Sequence, residues 1–464
     1  MSALGTDIAA TPPPASLKLT TMNAYRASLL WFAPRSEGVA RALYEQDGLL
    51  VVGPDARGRQ VVQAIGAYST VSKQYPQVPV QHFPGRIIAP GFIDLHIHYP
   101  QIDVIGSPAS GLLPWLENYT FPAENRFSAP DHSAQAAAFF IAELLRNGVT
   151  TALTFATSHL ESVNALFTEA QARRMRLITG LVLMDRHAPD YLVNQGQGSV
   201  SGTEQSLRDT ESLIQRWHGV DRLGYAITPR FAPTSTDAQL RGAGELAKQY
   251  GDVWIQSHVA ENKDEITWAR ELFPASRSYL ATYDDFGLMR ERAIYAHCIH
   301  FDDDDRALMR DTGAAAAISP TSNLFLGSGF FDYEGADRVG YQYGLASDVG
   351  GGTSFSPFHT MLAAYYVGRE GQTKPGLSLT PQHLWWQHTA GAAGALGLDG
   401  ANGGPAVGNL LPGCEADFVV LNPQATPLLA RKTALASNLD ELLFSLIVLG
   451  DDRLVEKTVI SQAI

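Results

Sequence analysis

Between residues 86 and 351 short apolar runs alternate with amphipathic stretches, eight times over. Runs at 86–98 (RIIAPGFIDLHIH), 148–157, 176–185, 223–231, 252–261, 293–300, 314–323 and 343–351 read as strands. Stretches such as Ser133 to Asn147 and Thr236 to Tyr250 read as helices between them. Strands buried on both faces are apolar throughout rather than alternating, and these runs are. Strand–helix repetition predicts a parallel sheet, and eight units predict a closed (β/α)8 barrel. The two ends of the chain are built differently, from short β-branched runs broken by Gly and Pro, such as Gly48 to Gly53 and the segment GNLLPGCEADFVVLN after residue 401. The expected fold is therefore α/β, a TIM-like barrel over 89–400 with a small β domain built from both termini, 18–88 and 401–464. Residues 1–17 are rich in Ala, Pro, Ser and Thr and read as a flexible arm.

Composition narrows the function. Net charge is −13, with 34 basic against 47 acidic residues and no basic stripe, which disfavours nucleic acid as a partner. The two cysteines, Cys298 and Cys414, form no spaced pair, so neither a disulfide scaffold nor a Cys-rich zinc site is expected. The first basic residue is Lys18, no export-like apolar run precedes it, and apolar stretches such as Leu384 to Leu398 are broken by His, Gln and Gly. A cytoplasmic protein without a membrane segment is the expectation.

The polar residues fall at the C-terminal ends of the predicted strands, the rim where such barrels place their active sites. His96 and His98 end the first strand; side chains two apart point to one face, about 6.6 Å from each other along it. An isolated pair of this kind also occurs as satisfied core histidines, but here His258, His297 and Asp348 end strands five, six and eight. Three imidazoles and one carboxylate make a set suited to zinc with one position open for water, and His297 would orient that water. A metal pair bridged by a carboxylated lysine on strand four is excluded, because no Lys lies between Lys73 and Lys248; a bridging glutamate stays open. Glu261 follows His258 by three residues. It is either a first-turn glutamate favoured by a helix dipole or the proton shuttle that a zinc deaminase needs. Arg230, before Phe231 at the end of strand four, is either half of a structural salt bridge or a planar donor fork for a purine edge; Phe231 would stack on the base. The acidic run Asp302 to Asp305 reads as a solvated helix start.

These motifs resemble guanine deaminases of the amidohydrolase superfamily, from Pro90-Gly91-Phe92-Ile93-Asp94-Leu95-His96-Ile97-His98 to Pro412-Gly413-Cys414-Glu415-Ala416-Asp417-Phe418. The narrower resemblance lies in Tyr99-Pro100-Gln101, in the stretch Leu116 to Glu124, and in Thr228-Pro229-Arg230-Phe231. The stretches Pro320 to Gly329 and Asp348 to Ser354 extend it. The resemblance implies one zinc per chain on His96, His98, His258 and Asp348. It implies guanine held by Gln101, Arg230 and Phe231, with Trp115 and Leu116 lining the pocket, and a homodimer. Catalysis would follow from attack on guanine C2, with His98 and Glu261 against the substrate, Glu261 delivering a proton to N3, and His297 and Asp348 holding the attacking oxygen. Related aminated heterocycles (8-oxoguanine, a pterin, an aminotriazine) are the nearest alternatives. A catalytically inactive binding protein on the same fold is a more distant one.

Overall fold

The computed structural model describes residues 22–34, 40–108, 110–370, 379–401 and 403–461, so the expected arm at 1–17 lies outside the described residues. The chain starts with β1 (Asn23–Phe32), β2 (Ala42–Pro54), β3 (Gln60–Ala67) and β4 (Val80–Pro90). Then come β5 (Phe92–His98), β6 (Val149–Phe155), β7 (Arg176–Gly180), β8 (Val182–Leu183) and β9 (Leu223–Pro229). β10 (Trp254–Val259), β11 (Ala293–His297), β12 (Ala315–Ile318) and β13 (Gln342–Leu345) follow, and β14 (Phe418–Leu421) and β15 (Val455–Val459) end the series.

β5, β6, β7 and β9 to β13 pair in sequence, all parallel, and form a nearly closed barrel of eight strands; the short β8 pairs beside β9. Every residue of β5, β6 and β9 is buried, inside the barrel or beneath the helices that cover it. The last strand meets the first at the rim, where the Asp348 N–H donates to the His96 carbonyl (2.9 Å) and the His98 N–H to the Val349 carbonyl (2.8 Å). The predicted helices are present at Pro130–Arg146 and Asp237–Gln249, the latter capped by the Thr236 hydroxyl on the Gln239 N–H.

The second sheet has the order β15-β14-β4-β1-β2-β3 and so joins both ends of the chain. Two expectations need correction. The run 86–98 is not one strand: β4 ends at Pro90 in the small sheet and β5 starts at Phe92 in the barrel. Gly91 makes the crossing, where a Cβ would meet the Thr150 hydroxyl at 2.3 Å. The C-terminal segment is also not all strand and turn. Helices Pro427–Thr433 and Leu439–Leu449, capped by Thr426 and Asn438, lie between β14 and β15.

The small sheet is fastened to the N-terminal end of the barrel by buried ion pairs. Arg176, which starts β7, meets Glu415 at 2.7 Å. Arg222, just before β9, meets Glu415 at 3.1 Å and pairs with Asp417. Removing one partner of such a buried network leaves an uncompensated charge, a loss of about 3–5 kcal/mol. Glu415→Ala is therefore expected to lower unfolding free energy by about that much in denaturant titration. A loss within experimental error would show that the two sheets are held by apolar packing alone.

Candidate active site

The rim of the barrel gathers the residues singled out from the sequence. His98, Gln101, Trp115, Leu116, Arg230, Phe231, His258, Glu261, His297 and Asp348 all line one cavity of about 430 Å³. His96 adds its Nε2 to the donor cluster at the cavity floor. Leu112, Glu265, Leu326 and Gly351 complete the lining.

The donor atoms converge closely. Nε2 of His98 is 3.1 Å from Nε2 of His96 and 3.2 Å from Nε2 of His258. Asp348 Oδ1 lies 3.1 Å from His96 Nε2 and 3.4 Å from His98 Nε2. Ligands at 2.0–2.1 Å from a tetrahedral zinc stand about 3.3 Å from one another, and these four separations are close to that. The tautomers agree. His258 Nδ1 donates to the Arg230 carbonyl (2.6 Å), which turns the Nε2 lone pair inward, as outer partners of metal-bound imidazoles do. Burial, with the neighbouring imidazoles, pushes His258 well below its ordinary pKa, and burial drives His98 down to about 3. Both rings are then neutral, the form that ligates. Burial opposes the charge of Asp348, but the imidazoles of His96, His98 and His297 outweigh it and hold the carboxyl well below the usual range. His96, His98 and Asp348 thus form a group that can hold a metal ion.

Glu261 stands beside this group. It precedes the helix Lys263–Leu272, whose cap is Asn262, so it is not the first-turn glutamate that one reading of the sequence allowed. Glu265 fills that role: its carboxylate accepts the N–H groups of Glu261 (3.1 Å) and Asn262 (3.2 Å) and the Tyr279 hydroxyl (2.7 Å). The Glu261 side chain instead accepts from the Ser328 hydroxyl (3.0 Å) and lies 3.4 Å from His297 Nε2. Burial, then the Asp348 charge, pushes Glu261 up to about 8. His297 donates through Nδ1 to Asn323 Oδ1 (2.8 Å), leaving Nε2 facing Glu261 and, at 3.8 Å, Asp348.

Arg230 makes the salt bridge that its burial demanded and also lines the cavity. Its partner is Glu124 (2.7 Å), which accepts from Gln101 Nε2 as well (3.0 Å). Phe231 is buried with its ring edge-on to Trp268 at 5.8 Å, and the Trp115 indole N–H is buried without a partner among the described residues. In the acidic run, Asp302 does cap a helix, but Asp305 turns inward to the Ser278 hydroxyl (2.6 Å) and to Arg277. Sequence reasoning gave no role to Glu124, Glu265, Asn323 or Ser328. Three of them sit in the resemblance stretches, and Asn262 with Glu265 spells a capping box.

An eight-stranded barrel carrying a His/His/Asp donor group at its C-terminal rim defines a class, and the sequence pattern of the amidohydrolase family matches residues 87–461. The chain belongs to that family. Within it, the chain is 41% identical over 424 residues to the guanine deaminase of Escherichia coli K12, covering 91% of this chain and 92% of that one. The solved E. coli guanine deaminase superposes with a TM-score of 0.86 at 38% identity, over 95% of this chain and 97% of the other. A guanine deaminase from C. acetobutylicum with guanine in its active site superposes with a TM-score of 0.83 at 28% identity, over 95% and 98%.

Proposed function

We propose that this hydrolase converts guanine and water to xanthine and ammonia around one zinc ion held by His96, His98, His258 and Asp348. One observation carries the reading. A single buried cavity joins a donor edge, Arg230 and Gln101, to a proton-handling group, Glu261 and His297, beside a nest of metal donors. Strong similarity to proteins named guanine deaminases, one of them holding guanine, supports the choice of substrate.

A zinc ion, when bound, lowers the pKa of water toward neutrality. The chain's own residues do the rest. Arg230 and Gln101 hold the purine through its carbonyl side, and Phe231, Trp115 and Leu116 exclude water around the ring. Water adds at C2 while a proton goes to N3; the C2–N bond then breaks and the amino group leaves as ammonia. Burial and the Asp348 charge push Glu261 up, toward a range where one carboxyl can both take a proton and return it. His297, fixed by Asn323, and Asp348 hold the attacking oxygen on the face that Glu261 serves. Donor atoms on three strands around one point, with no Lys between Lys73 and Lys248 to bridge a pair, support a single ion. In the same reading, 89–400 is the catalytic barrel, flanked by the small β domain of 18–88 and 401–464. Two buried free cysteines suit a reducing cytoplasm, and the family resemblance supports a homodimer.

Elemental analysis of protein made without added metal should give about one zinc per chain. A reproducible two equivalents, both required for activity, overturns the mononuclear assignment.

Glu261→Gln should keep zinc and fold while turnover falls by about 10²- to 10⁴-fold, since the amide cannot carry protons. Near-normal kcat in that variant removes Glu261 from the mechanism.

Ultraviolet assays of the zinc-loaded protein against purines, pterins and triazines test the substrate itself: guanine should be the preferred one. Adenine places an amino group where Arg230 expects an acceptor and carries none at C2 to leave, so it should not be turned over. Arg230→Lys keeps the charge but loses the planar fork, so its kcat/KM for guanine should drop with zinc content unchanged. Equal guanine turnover in parent and variant makes Arg230 a structural ion pair only.

A further inference from the structure

We infer that Glu124 is the positioning residue that sets purine selectivity, its buried carboxylate holding Arg230 and Gln101 as one reading edge. The inference rests on the guanine reading above and assigns a role to a residue that does not itself line the cavity. Glu124 is on the helix Phe121–Asn125, in the segment inserted between β5 and the helix Pro130–Arg146, and it has no exposed surface. Each carboxylate oxygen has a different donor: Oε1 accepts from Gln101 Nε2 at 3.0 Å, Oε2 from Arg230 Nη1 at 2.7 Å.

Neutralising a buried arginine would need only the second of these contacts. The first does something further. The Gln101 carbonyl accepts the Gly350 N–H at 3.2 Å, two residues beyond Asp348, while its amide nitrogen donates to Glu124. With both ends engaged the amide cannot turn over, because a flip would set its NH₂ against an N–H and its carbonyl against a carboxylate. The same short helix also grips Arg230 from its face, with the guanidinium carbon 5.2 Å from the Phe121 ring centre. Among the described residues Arg230 has no second side-chain acceptor, so its other N–H groups are left for the cavity. The direction and number of donors offered to the purine are therefore fixed from behind, by a residue the substrate never touches. A purine without an acceptor at position 6 would leave those donors buried and unpaired.

The test compares guanine with 2-aminopurine, which keeps the reacting amino group at C2 and lacks the oxygen at position 6. kcat and KM for both are measured in the zinc-loaded parent and in Glu124→Gln, alongside zinc content and thermal melting. The expected result is a guanine kcat/KM lower by about 10- to 100-fold, the worth of one charge-assisted hydrogen bond, with 2-aminopurine changed far less. The selectivity ratio then collapses at constant zinc content. If both substrates fall by the same factor, Glu124 only supports the fold and the inference is overturned. Should Glu124→Gln not fold, Glu124→Asp keeps the charge but is one methylene too short to span both donors. The same collapse is expected there, and an unchanged ratio overturns the inference equally. Parent protein inert toward guanine overturns the substrate reading itself, an outcome distinct from either variant result.

Discussion

The barrel closes where its donor atoms crowd. His96 and His98 belong to the first barrel strand and Asp348 follows the last, so the group that can hold a metal straddles the seam. The seam itself is thin at the rim. Among the described residues it includes two backbone bonds and the Asp94 carboxylate, which accepts the N–H groups of Ser347 (3.0 Å) and His96 (3.2 Å). Imidazole lone pairs pressed to about 3 Å repel each other, and a cation between them converts that repulsion into attraction. With His258 reaching in from β10, such an ion would tie three strands together. An ion there would add to a closure that the hydrogen bonds of the seam already make.

The surrounding backbone is strained. Ala260, His297, Cys298 and Asp348 are non-glycine residues in the left-handed region, with φ of 49°, 72°, 53° and 53°. Each costs on the order of 1–3 kcal/mol, and each follows or ends a barrel strand at the rim. His297 and Asp348, both in this conformation, line the cavity. Such strain persists only in a frame that over-determines it. At the opposite end of the barrel Arg176, Arg222, Glu415 and Asp417 hold the small sheet against the strand starts. Stability is concentrated at one end and chemistry at the other, the division expected of this architecture.

The sequence disclosed what is carried by period and by position. Buried parallel strands are apolar along their whole length, so eight of them were countable, and a polar residue at the end of such a run stands out. Hence His96, His98, His258, His297 and Asp348 were legible. What could not be read is whatever depends on contacts between distant segments. Glu124 is one carboxylate among many until Arg230, 106 residues away, is seen against it. Glu261 and Glu265 both follow His258, and only the location of the Asn262 cap decides which faces the cavity and which closes the helix. The break of 86–98 into two strands was hidden because Pro90 and Gly91 interrupt an apolar run without changing its composition. The transition needs a residue without a Cβ, and nothing local says to which sheet each half belongs.

The ion pair beneath the proposed purine site also explains why an arginine can be used there at all. A lone buried guanidinium would be expensive to desolvate and would favour anionic ligands indiscriminately. Paired with Glu124, the edge has no net charge, while Arg230, which lines the cavity, keeps N–H groups not taken by that pair. Discrimination must then work through the pattern of donors and acceptors rather than through attraction to charge, which is what choosing among neutral heterocycles of one shape requires. The negative charge that matters for chemistry is kept elsewhere. The imidazoles hold Asp348 well below the usual carboxylate range, and its charge, added to burial, raises Glu261. In the proposed reaction recognition and proton transfer would thus fall to separate carboxylates, Glu124 paired with Arg230 and Glu261 beside His297.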